Sequence, residues 1–179
     1  RPYINYHSYL SRITTSHDSV TTSWPQVYMG VAFTTMATLL LELAMTRIFS
    51  VVFYYHFAFL AISIALFGLG AGGVFSYVIA AQPAPLFRKL GRLSLVNAVM
   101  PLISVIFLLT RGQDLTNTTL AAVYFFSALP FFLAGAIVSL AISETIERID
   151  RVYFFDLLGA AGGCLLLIPL LNNFGGPNT

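Results

Sequence analysis

Five long apolar runs, separated by short polar breaks, organise this chain. The first extends from about Val27 to about Thr46 and is interrupted only by Glu42. The second, about Phe57 to Ala81, stops before Gln82-Pro83-Ala84-Pro85, a strong helix breaker. The third, about Ser94 to Thr110, contains Pro101; the fourth, about Leu120 to Ser143, contains Pro130; the fifth is about Val152 to Leu171. Each is close to the roughly 20 residues that carry a helix across a bilayer. In lipid every backbone N–H and C=O must find its partner inside the protein, and continuous apolar runs are unlike the alternating strands of a barrel. The pattern predicts an all-α, polytopic membrane protein of about five transmembrane helices packed through small-residue faces.

The breaks predict the rest of the layout. Residues 1–26 form a polar arm lying on the surface, with Ser and Thr crowded between Ser8 and Ser23. Trp24 and Pro25 close the arm, a Trp suited to the headgroup boundary and a Pro tolerated in a first helical turn. Residues 27–171 form the transmembrane domain. Its first connection, 47–56, carries Arg47, Tyr54, Tyr55 and His56 and reads as a loop or a re-entrant turn, because Ile48 to Phe53 is itself apolar. Glu144 to Arg151 is charged with helical spacing, which suits an interfacial turn. Residues 172–179 form a Gly/Pro/Asn loop expected to lead into further chain.

Composition makes lipid the required solvent. The 179 residues are 58% hydrophobic and 9% charged, against about 25% charged in a soluble domain, and the mean hydropathy is +0.83. The nine basic residues give a net charge of +2 and are dispersed along the chain, so nucleic acid is not an expected partner. The single cysteine, Cys164, sits in an apolar run, which excludes an internal disulfide and a cysteine-based metal site. No signal peptide is visible, since the first apolar run is too long for one. Placing the Arg88, Lys89 and Arg92 cluster on the inner side also puts Arg1, Arg12, Arg148 and Arg151 there, leaving Arg47 and Arg111 outside. That bias predicts an N-terminus inside and residue 179 outside.

Three intramembrane charges and two glycine faces are the candidate chemistry. In VYFFDLLGAAGG, Asp156, Gly159 and Gly163 share one helical face, a GxxxG seam with a carboxylate that must find a donor in the bundle. Proximity to Arg148, Arg151 and the Arg88–Arg92 cluster points to a tether for the fourth-to-fifth connection. In LLLELAMTRIF, Glu42 and Arg47 are five apart, so they do not face one another directly. Glu42 is expected near the outer edge of the core, protonated or paired with Arg47, Tyr54 or His56, with a substrate or proton role as the functional alternative. On this placement Glu42 and Asp156 belong to opposite leaflets. Phe67–Val74, FGLGAGGV, matches a dinucleotide fingerprint at Gly68, Gly70 and Gly73, but no strand precedes it and no acid follows about twenty residues on. Gly68 and Gly72, with Ala65, read instead as a packing face. His56 is a candidate haem or chlorophyll ligand without an accompanying motif, and Asn117-Thr118-Thr119 is a glycosylation sequon by letters alone. No catalytic, metal or cofactor arrangement is present, so none is expected.

The segments ELAMTRIFSVVFYYHFAFLAISIALFGLGAGG, PFFLAGAIVSLAIS and VYFFDLLGAAGGCLLLIPLLNNFGGP resemble the membrane region of bacterial spermidine-synthase-like integral membrane proteins, over about Leu41 to Pro177. The resemblance implies a bacterial inner-membrane location, in which the bias of basic residues makes the N-terminus cytoplasmic and residue 179 periplasmic. In that family a soluble aminopropyltransferase or methyltransferase-like domain follows the spans. Its glycine-and-acid motif does not occur in these residues, so no catalytic residue carries over. The expectation is therefore a non-catalytic scaffold or accessory subunit, packing against lipid and against other transmembrane helices or subunits of a larger assembly such as an energy-transducing complex. The alternatives are the membrane anchor of a spermidine-synthase-like enzyme and a transporter of a cationic solute, with Glu42 and Asp156 as counter-charges.

Overall fold

A computed structural model describes residues 24–52, 58–111 and 116–174; Tyr54, Tyr55 and His56 lie outside the described residues. Five helices follow in order: α1 (Trp24–Val52), α2 (Ala58–Ala80), α3 (Leu86–Arg111), α4 (Asn117–Ser143) and α5 (Ile149–Phe174). A 3₁₀ turn, Ile146–Arg148, leads into α5, and no strand occurs among the described residues. All five helices are long and apolar enough to cross a membrane. Their outward faces carry Phe59, Phe67, Leu95 and Val74 at 71–75% exposure, surface that only an apolar solvent would tolerate. The chain is thus an all-α, multi-pass helical bundle.

The helices are longer than the apolar runs alone predict, and the excess is informative. α1 begins at Trp24 and continues through Ile48–Val52, so residues 47–52 are helix rather than connection. α3 begins at Leu86, which moves Arg88, Lys89 and Arg92 from a loop into its first turns. α4 takes in the sequon, whose Asn117 opens the helix. α5 starts at Ile149 and absorbs Asn172 and Asn173. In each case backbone hydrogen bonding continues past the apolar stretch, because helical geometry satisfies the peptide groups at the boundary as well as inside it.

Consecutive helices run in opposite directions. One end of the bundle gathers the start of α1, the end of α4 and the start of α5 around Val27, Tyr28, Val31, Ala141 and Val152. The other end gathers Met45 and Phe49 of α1, Ala61 and Ile64 of α2, Leu108 of α3 and Val123 of α4. The closest packing is between helices that run the same way: α2 with α4, and α1 with α5. Gly68 and Gly72 lie against the Ala128–Ala136 stretch of α4, and Gly135 lies in turn against the Leu69 backbone. Gly159 rests on Ala32 and Gly163 on Met36, so the α5 seam climbs α1 in register. At all of these positions a Cβ would meet neighbouring backbone, which is why glycine is required.

Pro130 shows how the bundle repairs its own breaks. Lacking an N–H, it frees the carbonyl of Phe126 one turn earlier in α4. The buried Ser104 hydroxyl of α3 donates to that carbonyl at 3.0 Å, so the interrupted helix becomes an attachment point for its neighbour. At the charged end, Lys89 donates to the Ala80 carbonyl at 2.8 Å and to Glu144 at 3.3 Å. It thereby ties the C-terminal ends of α2 and α4 to the start of α3, where a cation also meets the negative end of each helix dipole. The Arg148 guanidinium sits 4.8 Å over the Trp24 ring, fixing the start of α1 to the 3₁₀ turn.

Candidate functional site

The two glycine-seamed pairs enclose a cavity of about 470 Å³. α1 contributes Thr35, Thr38, Leu39 and Glu42, one helical stripe at spacings of three and four. α2 contributes Leu69 and Gly73, α4 a wall that includes Gly135 and Ser139, and α5 Asp156. α4 and α5 touch only slightly, so the cavity opens between the pairs rather than through either.

Asp156 accepts a hydrogen bond from the Thr35 hydroxyl of α1. The expected internal donor is therefore a threonine on the partner helix. No ion pair joins Asp156 to Arg148, Arg151 or the Arg88–Arg92 cluster among the described residues, so it ties α5 to α1 and not the fourth span to the fifth. α5 is rotated so that its glycine face meets α1, and this aims Asp156 at Thr35 and away from the basic end. The ring of Phe155 stacks on Tyr28 at 5.3 Å between centroids and holds the same rotation.

Glu42 occupies the far half of the same cavity. Its carboxylate makes no hydrogen bond or ion pair among the described residues, and Arg47, exposed one and a half turns on, does not reach it. Tyr54 and His56, the other candidate partners, lie outside the described residues, as does any role of His56 as a ligand. Although the sequence places Glu42 and Asp156 in opposite leaflets, both line this one cavity. Thr35, the partner of Asp156, is seven residues before Glu42, which separates the two carboxylates by only about 10 Å along the helix axis at 1.5 Å per residue. Because α1 extends to Val52, Glu42 is about 15 Å inside the helix end.

Hydroxyls complete the lining. Ser139 lines the cavity and shares a hydrogen bond at 3.0 Å with Ser76 behind it, which donates to the Gly73 carbonyl at 2.6 Å. Thr38 is turned back onto the Thr34 carbonyl at 2.7 Å. No lysine or arginine lines the cavity. The result is an intramembrane chamber with two carboxylates, several hydroxyls and no built-in counter-charge, and the chemistry it favours is the uptake of a cation. Thr35, Thr38 and Ser139 were not singled out by sequence reasoning. The Thr35-Thr38-Glu42 spacing on one stripe of α1 is the signal that points to the two threonines, and Ser139 has no such signal.

The Phe67–Val74 glycines fall in the continuous helix α2, without the strand and turn that a nucleotide fingerprint demands. Gly70 there faces outward with nothing near it, while Gly68 and Gly72 face α4. Among the described residues no cluster of three His, Cys, Asp or Glu side chains suited to a metal ion occurs. No family model, curated protein or solved structure matches this chain. The resemblance to spermidine-synthase-like membrane regions rests on the quoted residues alone.

Proposed function

We propose that this chain is an inner-membrane protein of bacterial type that binds a cationic solute in the cavity between the α1/α5 and α2/α4 pairs and passes it across the bilayer. The observation that carries this reading is that both intramembrane carboxylates, Glu42 and Asp156, line one cavity that no basic side chain enters. A scaffold needs its buried charges consumed as anchors. Asp156 is partly consumed by Thr35, but Glu42 is left facing the chamber.

The separation of the carboxylates suits an elongated solute with two cationic groups, or one cation handed from Asp156 to Glu42. Thin contact between α4 and α5 lets one pair shift against the other, as alternating access requires, while the Thr35–Asp156 bond keeps the carboxylate with its own pair. The end bearing Arg88, Lys89, Arg92, Arg148 and Arg151 faces the cytoplasm on the positive-inside argument.

The test is uptake of a labelled linear polyamine into proteoliposomes of the purified chain. Glu42→Gln and Asp156→Asn are each expected to cut uptake about tenfold or more, the equivalent of about 1.4 kcal/mol of lost charge pairing. Arg47→Gln, outside the cavity, is expected to leave it unchanged. Equal uptake by all four proteins overturns the reading and returns the chain to a structural role.

A further inference from the structure

A second cavity, of about 290 Å³, opens on the opposite side of α2 from the carboxylates, between the end of α2 and the start of α3. Gln82, Arg88 and Arg92 stand at its polar end, and Phe75, Ile79 and Val96 line its apolar end. Arg88, Arg92 and Val96 recur every four residues, so they form one stripe down α3, basic at the boundary and apolar about 12 Å further in at 1.5 Å per residue. On the other wall, Ile79 and Phe75 of α2 continue the apolar lining inward from Gln82.

Lys89 is buried and already engaged by the Ala80 carbonyl and Glu144. Arg88 and Arg92 are exposed and make no ion pair among the described residues. Two free guanidiniums one turn apart at the boundary of an apolar groove carry five donors each and suit a phosphate oxygen cluster. The start of α3 adds the positive end of its helix dipole on the same side. A soluble anion would use the basic end and leave the groove empty; a molecule with a phosphate head and a hydrocarbon tail uses both.

We propose that this cavity binds an acidic phospholipid, its headgroup phosphate held by Arg88 and Arg92 and one acyl chain laid along Phe75, Ile79 and Val96. Such basic pockets between transmembrane helices are a recurrent way to hold anionic headgroups. The lipid would bridge α2 and α3 across the Gln82–Pro85 turn, beside the Lys89–Ala80 bond that already joins them. The assignment does not depend on the transport reading.

The experiment is native mass spectrometry of the full chain, delipidated and incubated with equal amounts of phosphatidylglycerol and phosphatidylcholine. Phosphatidylglycerol is expected to be retained preferentially, and Arg88→Gln or Arg92→Gln to lower its retention about fivefold each, about 25-fold together. Val96→Trp fills the groove while leaving both arginines, so it is expected to lower retention as well, and this variant serves if the double substitution fails to fold. Equal retention of the two lipids, or retention untouched by these changes, overturns the proposal. Displacement of the lipid by millimolar inorganic phosphate in the Val96→Trp protein and the parent alike would assign the arginines to a free anion and overturn the lipid.

Discussion

The α2/α4 and α1/α5 pairs are both parallel seams of small residues, yet they are built for different ends. In α2/α4 glycines come from both sides, Gly68 and Gly72 from one helix and Gly135 from the other, so each backbone is notched into its partner. The polar groups that cross this seam, Ser76 and Ser139, satisfy one another and the Gly73 carbonyl. In α1/α5 the glycines come only from α5, and the polar link is an ionisable one, Thr35 to Asp156, at the edge of a cavity. One seam is closed on itself. The other leaves a carboxylate at the rim of a cavity, which in the proposed reading is where a cation is met.

Substitutions at the glycines break this contrast most sharply. In Gly72→Ala the new methyl meets the Phe132 carbonyl, with Ala136 just beyond, and interlocked helices leave no room to slide. A loss of about 3 kcal/mol in unfolding from mixed micelles is expected, the upper end of the range for overpacking. Gly70→Ala, two residues earlier and with open space around it, is the control expected to unfold like the parent. In Gly159→Ala the methyl meets the Ala32 carbonyl, but α5 borders few other helices and gives way. The expected loss is smaller, about 1–2 kcal/mol, and polyamine uptake should fall with it because Asp156 is displaced; uptake equal to the parent would show that the seam does not position the carboxylate. Thr35→Val has the smallest effect on stability, about 0.6 kcal/mol for one interhelical hydrogen bond in a bilayer. It sharpens the comparison by raising the half-saturating polyamine concentration without lowering the maximal rate.

The existence and approximate extent of the five helices were legible because uninterrupted apolarity of bilayer length has few other meanings. The glycine faces on α2 and α5 were legible too, from spacing alone. What spacing does not contain is the identity of the partner helix. FGLGAGG says that some backbone approaches, and only the fold says that it is α4. Ending the first span at Thr46 places Glu42 near the end of its helix, whereas Ile48–Val52 continues the helix and leaves the residue well inside it. Starting the fifth span at Val152 likewise places Asp156 nearer its helix end, since α5 begins three residues earlier. Both short spans set each carboxylate close to a helix end, and so the shared cavity was hidden. Its hydroxyls were hidden as well, because a threonine bonded to its own helix and one bonded across helices look alike in a sequence.

The pairing of α1 with α5 also has a consequence for biogenesis. α1 finds its main companion only when α5 emerges, roughly 110 residues later, a wait of roughly 5–20 s at ordinary rates of translation. Throughout that interval the stripe of Thr35, Thr38 and Glu42 has no α5 to cover it. A ribosome stalled before Gly159 would leave that stripe without the helix that completes its cavity, the kind of substrate that membrane quality control is equipped to remove.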